Sequence, residues 1–179
     1  MGYPKKGERV NPLLVRIDDR LIHGQVIVGW ARSLGVNCIV VANDEFSHDE
    51  FQKELVAMAC PPNMEILILG VEEAISKFKG GEFEDKRTIL LLDTPKDALR
   101  LIKEGVKISE INVGGMRSAN DRIKILPWVF LNEEEISIFR QIRYLGVKLE
   151  ARAVPTDPKV DLLDLIEKAV TSHFKNVKS

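Results

Sequence analysis

The strongest constraint on this chain is the alternation of short apolar runs with segments of helical period. Runs rich in Val, Ile and Leu recur at 13–18 (LLVRID), 38–42 (CIVVA), 64–69 (MEILIL), 88–93 (TILLLD), 110–114 (EINVG) and 147–154 (VKLEARAV). Most are continuous, the pattern of strands covered on both faces. Between them apolar residues return at helical spacing, as in Phe51, Leu55 and Met58, in Ala98, Leu99 and Ile102, and in Ile136, Phe139, Ile142 and Leu145. Ser47 with Glu50, and Asn132 with Glu135, have the spacing of a capping box. Thr94-Pro95 and Asp157-Pro158 offer a cap ahead of a first-turn proline, and Gly35, Gly105 and Gly146 stand where helices should stop. Strand and helix alternating in this way predict an α/β fold: a three-layer, open, mostly parallel β-sheet with helices on both faces and right-handed crossovers. The chain is too short for a closed eight-fold barrel. In 147–154, Val147, Leu149, Ala151 and Ala153 alternate with Lys148, Glu150 and Arg152, which predicts a half-exposed edge strand. One antiparallel edge strand is expected in the sheet.

A length of 179 residues suits one domain, expected over 13–179 behind a flexible extension at 1–12, with a polar tail near 175–179 expected to fray. At 45% hydrophobic and 30% charged, the composition is globular, and a sizeable core is possible. Lys and Arg number 26 against 27 Asp and Glu, so no overall basicity exists to hold a polyanion, and nucleic acid is not an expected partner. Cys38 and Cys60 lack CxxC spacing and read as buried thiols. No apolar run reaches the roughly 20 residues of a membrane span, and the start has no signal-peptide core, so the expected compartment is the cytoplasm.

Open α/β sheets gather ligands at the carboxyl ends of their strands. After the second run come Asn43, Asp44 and Glu45, after the fourth Asp93 and Thr94, and after the fifth Gly114, Gly115 and Arg117. Only the loop after the first run combines acids, a cation and a nucleophile: Asp18, Asp19, Arg20, His23, Gly24 and Gln25. Apolar residues from Val26 to Leu34 predict a helix starting near Gly24, which leaves His23 at the strand-to-helix turn. Unpaired N–H groups and the helix dipole favour an anion there. Arg20 is a natural clamp for phosphate oxygens, and Gly24 permits close backbone approach. A neutral imidazole is nucleophilic near pH 7, and phosphohistidine remains a good phosphoryl donor. The residues alone equally allow His23 to pack at a turn while Arg20 pairs with Asp18 or Asp19, and Gly114-Gly115 reads either as a close approach to a ligand or as an ordinary turn. His48 and His173 provide no metal-ligand spacing, so no metal is expected, and the GxGxxG, Walker and GxSxG motifs are absent.

The segment RIDDRLIHGQV at 16–26, followed by Trp30, resembles the phosphorylation site of IIB subunits of the bacterial phosphotransferase system, mannose/fructose/sorbose family. VVANDE at 40–45, CPPNM at 60–64, TPKDALRLIKEGVKI at 94–108, NVGGM at 112–116 and TDPK at 156–159 extend the resemblance over nearly the whole chain from about residue 13. It implies a phosphocarrier that accepts a phosphoryl group on His23 from a phosphorylated IIA partner and passes it to a sugar entering through the IIC and IID membrane subunits. It also implies Nδ1 as the reacting nitrogen, Arg20 as the steadying cation, Asp18 and Asp19 as orienting acids, Gly24 and Gln25 as phosphate contacts at the helix start, and Gly114 and Gly115 as a supporting turn. No cofactor is implied. Because the group must arrive and leave, a shallow, exposed His23 is expected. The longer extension before the first strand and the apolar stretch RIKILPWVFLNEE at 122–134 depart from the family pattern and bear on docking or homo-oligomerisation. A different class of function would use the same loop without covalent chemistry, as a non-enzymatic module binding a phosphorylated metabolite or signalling partner.

Overall fold

The computed structural model describes residues 11–177, with side chains described as far as His173. Most of the expected extension, and the end of the polar tail, lie outside the described residues. Seven strands form one sheet in the order β3-β2-β4-β1-β5-β8-β9. They are β1 (Leu14–Asp18), β2 (Cys38–Ala42), β3 (Glu65–Leu69), β4 (Thr88–Leu92), β5 (Glu110–Gly115), β8 (Lys148–Ala151) and β9 (Val160–Asp161). All pairings are parallel except β8 with β9, so the antiparallel edge is a two-residue strand after the expected one. A separate antiparallel hairpin, β6 (Ile123–Leu126) and β7 (Val129–Leu131), occupies the apolar stretch at 122–134.

Placing 147–154 at the edge is therefore corrected. β8 lies between β5 and β9, and Glu150 and Arg152, expected to face water, are buried at 3% and 6% exposure. Charge on alternate positions marks a strand with a polar interior partner as readily as a strand facing solvent.

Seven residues, Gln25–Ala31, wind as a π-helix and continue into a helical turn at Arg32–Leu34, together α1. The wide turn brings Val26 and Trp30–Ala31 onto one buried face. Gly35 ends this helix at φ 61, as Gly105 and Gly146 follow α4 (Pro95–Lys103) and α5 (Glu133–Tyr144) at positive φ. Thr94 caps α4 with Pro95 in its first turn, and Asn132 with Glu135 forms the reciprocal capping box of α5. Two start signals fail. α2 (Glu50–Ala59) is capped by Asp49, not Ser47, and α6 (Leu162–Val177) begins after β9, where Asp161 accepts from Leu163 and Asp164, not at Pro158.

One face of the sheet is covered by α1, with Trp30, Val26 and Ala31 packed on Leu14, Ile39, Val41, Ile89 and Leu91. The other carries α3 (Val71–Lys79), α4, α5 and α6 through residues such as Ala74, Leu101, Phe139 and Ile166. The stripe expected to bury α2 instead faces outward, with Phe51, Leu55 and Met58 all exposed. β1 and β5 are neighbours in the sheet, and the chain leaves them for helices on opposite faces, α1 after β1 and α5 after β5. The loop after β1 lies at this divergence, at the carboxyl end of the sheet.

Candidate functional site

β1 delivers its charges by simple alternation: Ile17 joins the core on one face, so Arg16 and Asp18 share the other. The chain then turns sharply, Leu21 N–H donating to Asp18 C=O at 2.9 Å while Leu21 takes φ 50. A left-handed leucine costs about 1 kcal/mol. The turn folds the chain back so that the His23 ring meets the side chain of Asp18, with Nε2 3.0 Å from Asp18 Oδ2. Nδ1 has no hydrogen-bond partner among the described residues. Val26 and Ile27 N–H close onto His23 C=O, placing the histidine at the start of α1 as the sequence predicts.

Asp18 is the hub. Its carboxylate accepts from Arg16 Nη2 at 2.8 Å, from Arg20 Nε at 3.2 Å and Nη2 at 3.4 Å, and from Arg20 N–H at 3.3 Å. Burial alone would push its carboxyl up. The hydrogen bond with His23, the charge of Arg16 and the hydrogen bond from Arg20 outweigh that and hold it far below the usual carboxylate range. Asp18 is thus an anion at any physiological pH. Arg20 keeps 45% of its side chain exposed and is held on its far side by Gln25 Oε1 at 2.9 Å.

Asp19 orients neither Arg20 nor the imidazole. At the start of the turn after Asp18, it accepts from Arg117 N–H at 2.7 Å and Nε at 2.9 Å, tying the β1 loop to the loop after β5. Gln25 directs its side-chain oxygen to Arg20. A Cβ at Gly24 would meet nothing within 4 Å, so open space lies over the start of α1. Gly114 and Gly115 have a steric role: a Cβ at Gly114 would overlap the Arg16 guanidinium, and one at Gly115 would approach Asp18 Oδ1 at 3.2 Å. The His23 side chain is 16% exposed, less than expected, because the turn tucks the ring against Asp18.

Other strand-end polar groups hold loops. Asn43 Oδ1 accepts from Phe46 N–H, Asp44 Oδ1 from Val71 N–H, and Thr94 caps α4. Asp93 follows the last residue of β4, its carboxyl pushed up by burial. Cys38 is buried, its thiol pushed up to about 11, and Cys60 is half-buried. No group of His, Cys, Asp and Glu among the described residues could hold a metal ion, and no helix there is long and apolar enough to cross a membrane.

Two features escaped the sequence reading. The first is Arg16, fully buried under Asp18; its signal was an arginine inside an otherwise apolar run, two residues before an acid. The second is a cleft of about 460 Å³ beside the loop, lined by Arg20, Gln25, Gly115, Arg117, Trp128 and Phe130. The β6–β7 hairpin forms its wall and is stitched to β5 by Met116 N–H to Trp128 C=O and Phe130 N–H to Met116 C=O, which leaves Trp128 37% exposed at the rim.

Residues 13–176 match the family model described as PTS system sorbose subfamily IIB component. The sorbose-specific EIIB component of Klebsiella pneumoniae is 36% identical over 153 residues, covering 86% of this chain and 93% of that protein. The mannose-specific EIIAB component of Escherichia coli K12 is 37% identical over 155 residues, covering 87% of this chain and 48% of that longer protein. Among solved structures, the IIBSor domain of the sorbose permease from Klebsiella pneumoniae superposes with a TM-score of 0.82 at 35% identity, covering 87% of this chain and 95% of that one.

Proposed function

The chain belongs to the sorbose-subfamily IIB components of the phosphotransferase system, which are phosphotransferase components, and from that premise we propose that it is a cytoplasmic phosphocarrier acting through His23 Nδ1. The observation that carries the proposal is the His23–Asp18 contact. With Nε2 donating its proton to an ionised carboxylate, the nucleophilic lone pair belongs to Nδ1, which has no partner among the described residues.

In the first step Nδ1 attacks the phosphorus of a phosphohistidine on the IIA partner. The partner's N–P bond breaks as the Nδ1–P bond forms, and charge spreads over three equatorial oxygens. Arg20, half-exposed and two-pronged, is the group able to turn onto those oxygens. In the second step a sugar hydroxyl presented by the IIC and IID subunits attacks the same phosphorus. The Nδ1–P bond breaks, the hydroxyl proton leaves to solvent, and the Nε2 proton held on Asp18 makes the leaving group a neutral imidazole. One proton thus serves both directions of transfer.

The fused EIIAB relative supports a IIA donor, and the cleft beside the loop has the chemistry to receive it: Arg20 and Arg117 for phosphoryl charge, and Trp128 as an apolar anchor. The test is intact mass after incubation with phosphoenolpyruvate, the general phosphotransferase proteins and a matched IIA. One acid-labile phosphoryl group is expected on the native chain and none on His23→Ala. A IIA that is itself phosphorylated and active on its own partner, yet labels nothing here, would refute the proposal.

A further inference from the structure

We propose that Arg16 is a positioning residue for His23, acting through Asp18: its buried guanidinium fixes the carboxylate oxygen that holds the Nε2 proton, and so commits the lone pair to Nδ1. This rests on the reading of His23 as phosphoryl acceptor, and it assigns the control of that nitrogen to a residue that touches neither the ring nor the phosphoryl group.

Asp18 Oδ2 is shared. It accepts from Arg16 Nη2 at 2.8 Å and faces His23 Nε2 at 3.0 Å. Arg20 also reaches this carboxylate, but at 3.2–3.4 Å from a side chain 45% exposed, the arrangement of a group free to leave for a ligand. Arg16 has no such freedom. Nη1 donates to Asn112 Oδ1 and to Arg152 C=O, Nη2 donates also to Ala153 C=O, and the guanidinium lies 5.2 Å from the centre of the Trp30 ring. Its remaining side rests over Gly114, where a Cβ would occupy the same space. When Arg20 turns toward a phosphoryl group, Arg16 keeps the carboxylate in place and in charge balance.

The cage around Arg16 is anchored in turn. Asn112 Nδ2 donates to Glu150 Oε1, Arg152 Nη2 pairs with the same oxygen at 2.7 Å, and Arg152 lies 5.0 Å from the other partner of this stack, the Trp30 ring. Two buried cations and two buried anions thus cancel, and Asn112 joins the pairs. A full cancellation of charge is what allows the network to sit inside the sheet, and its geometry, not its net stability, is the useful product.

The test reads the tautomer of His23 directly, from ring nitrogen shifts in long-range 15N–1H spectra of the neutral imidazole, with no partner present. The native protein should show the Nε2-protonated form alone. Arg16→Met should give a mixture of both tautomers and slow transfer from phosphorylated IIA by about tenfold or more. Arg16→Lys, which restores the charge without the two-pronged fork, should recover part of both. Should Arg16→Met not fold, Asn112→Ala carries the test, because it loosens Arg16 and leaves its ion pair with Asp18 intact; a smaller shift in the same direction is expected. Unchanged tautomer populations in Arg16→Lys and Asn112→Ala would overturn the role of Arg16. A native chain that takes up no phosphoryl group would instead overturn the phosphocarrier reading.

Discussion

Replacing Asp18 by Asn preserves the shape of the central side chain and removes its charge, which separates the electrostatic part of the site from its packing. Arg16, fully buried, would keep Asn112 Oδ1 and the carbonyls of Arg152 and Ala153 but lose its counter-charge. Removing one partner of a buried ion pair costs about 3–5 kcal/mol, and the three surviving acceptors put the expected loss near the lower end, about 3 kcal/mol at pH 7. The cost should depend on pH in a specified way. The carboxyl is held below its ordinary value of 3.8 in the folded protein, so its contribution is complete above that value and is lost as pH falls toward the folded one. At pH 3 the unfolded carboxyl is mostly protonated while the folded one remains ionised. At 1.36 kcal/mol per unit, about 1 kcal/mol of the contribution is then gone.

Urea unfolding followed by tryptophan fluorescence, on both proteins at several pH values from 7 to 3, measures this difference. The stability gap between native and Asp18→Asn should hold at about 3 kcal/mol down to about pH 5, then narrow to about 2 kcal/mol at pH 3. Titrating groups that do not touch Asp18 are common to the two proteins and largely cancel, and because His23 does touch it, the comparison is read from about pH 5 downward. A gap that stays constant to pH 3, or that widens, would refute the claim that Asp18 is the depressed carboxylate at the centre of the network.

The glycines of the site should separate by function. Gly114→Ala forces a methyl into the Arg16 guanidinium and should destabilise by about 3 kcal/mol or more in the same unfolding assay. Gly24→Ala, at φ −54 with open space around the new methyl, should stabilise by about 0.4–1 kcal/mol while slowing phosphoryl transfer, if a phosphoryl group approaches that backbone. Trp128→Ala should leave unfolding within about 1 kcal/mol of native and raise the KM for phosphorylated IIA by about tenfold with kcat little changed, as a rim anchor requires. Equal effects on KM and kcat would place Trp128 in the reaction rather than in docking.

The parallel sheet was legible because most of its strands are buried on both faces and therefore read as largely apolar runs, from LLVRID to EINVG. The edge placement of 147–154 failed for a related reason. A two-residue strand such as Val160–Asp161 has no period to read, and the polar positions of the preceding run belong to a buried network. The loop after β1 was legible as chemistry from its acids, cation and histidine, but the division of labour within it was not. Asp18 and Asp19 are identical in type and adjacent in sequence; only the direction of β1 decides that one faces His23 and the other Arg117. α2 shows the converse limit: its period announces a helix correctly, yet period alone does not say which side the sheet is on.

Arg16 brings these limits together. In a strand covered on both faces, an arginine is an anomaly with two physical resolutions: it lies at the strand end and reaches water, or it is paired within the sheet. Arg16 is in mid-strand, and Asp18 at the next position on its own face completes the second resolution. Once the pair is buried, its terminal donors need acceptors, and Asn112 on β5 and the backbone at Arg152 and Ala153, just past β8, supply them. Gly114 must then lack a side chain. The glycines at the end of β5 and the charged residues of 147–154, which looked unrelated in sequence, follow from the one requirement that the terminal guanidinium donors of a cation inside the sheet find acceptors. Satisfying it leaves a rigid carboxylate at the strand end, in position to hold a histidine.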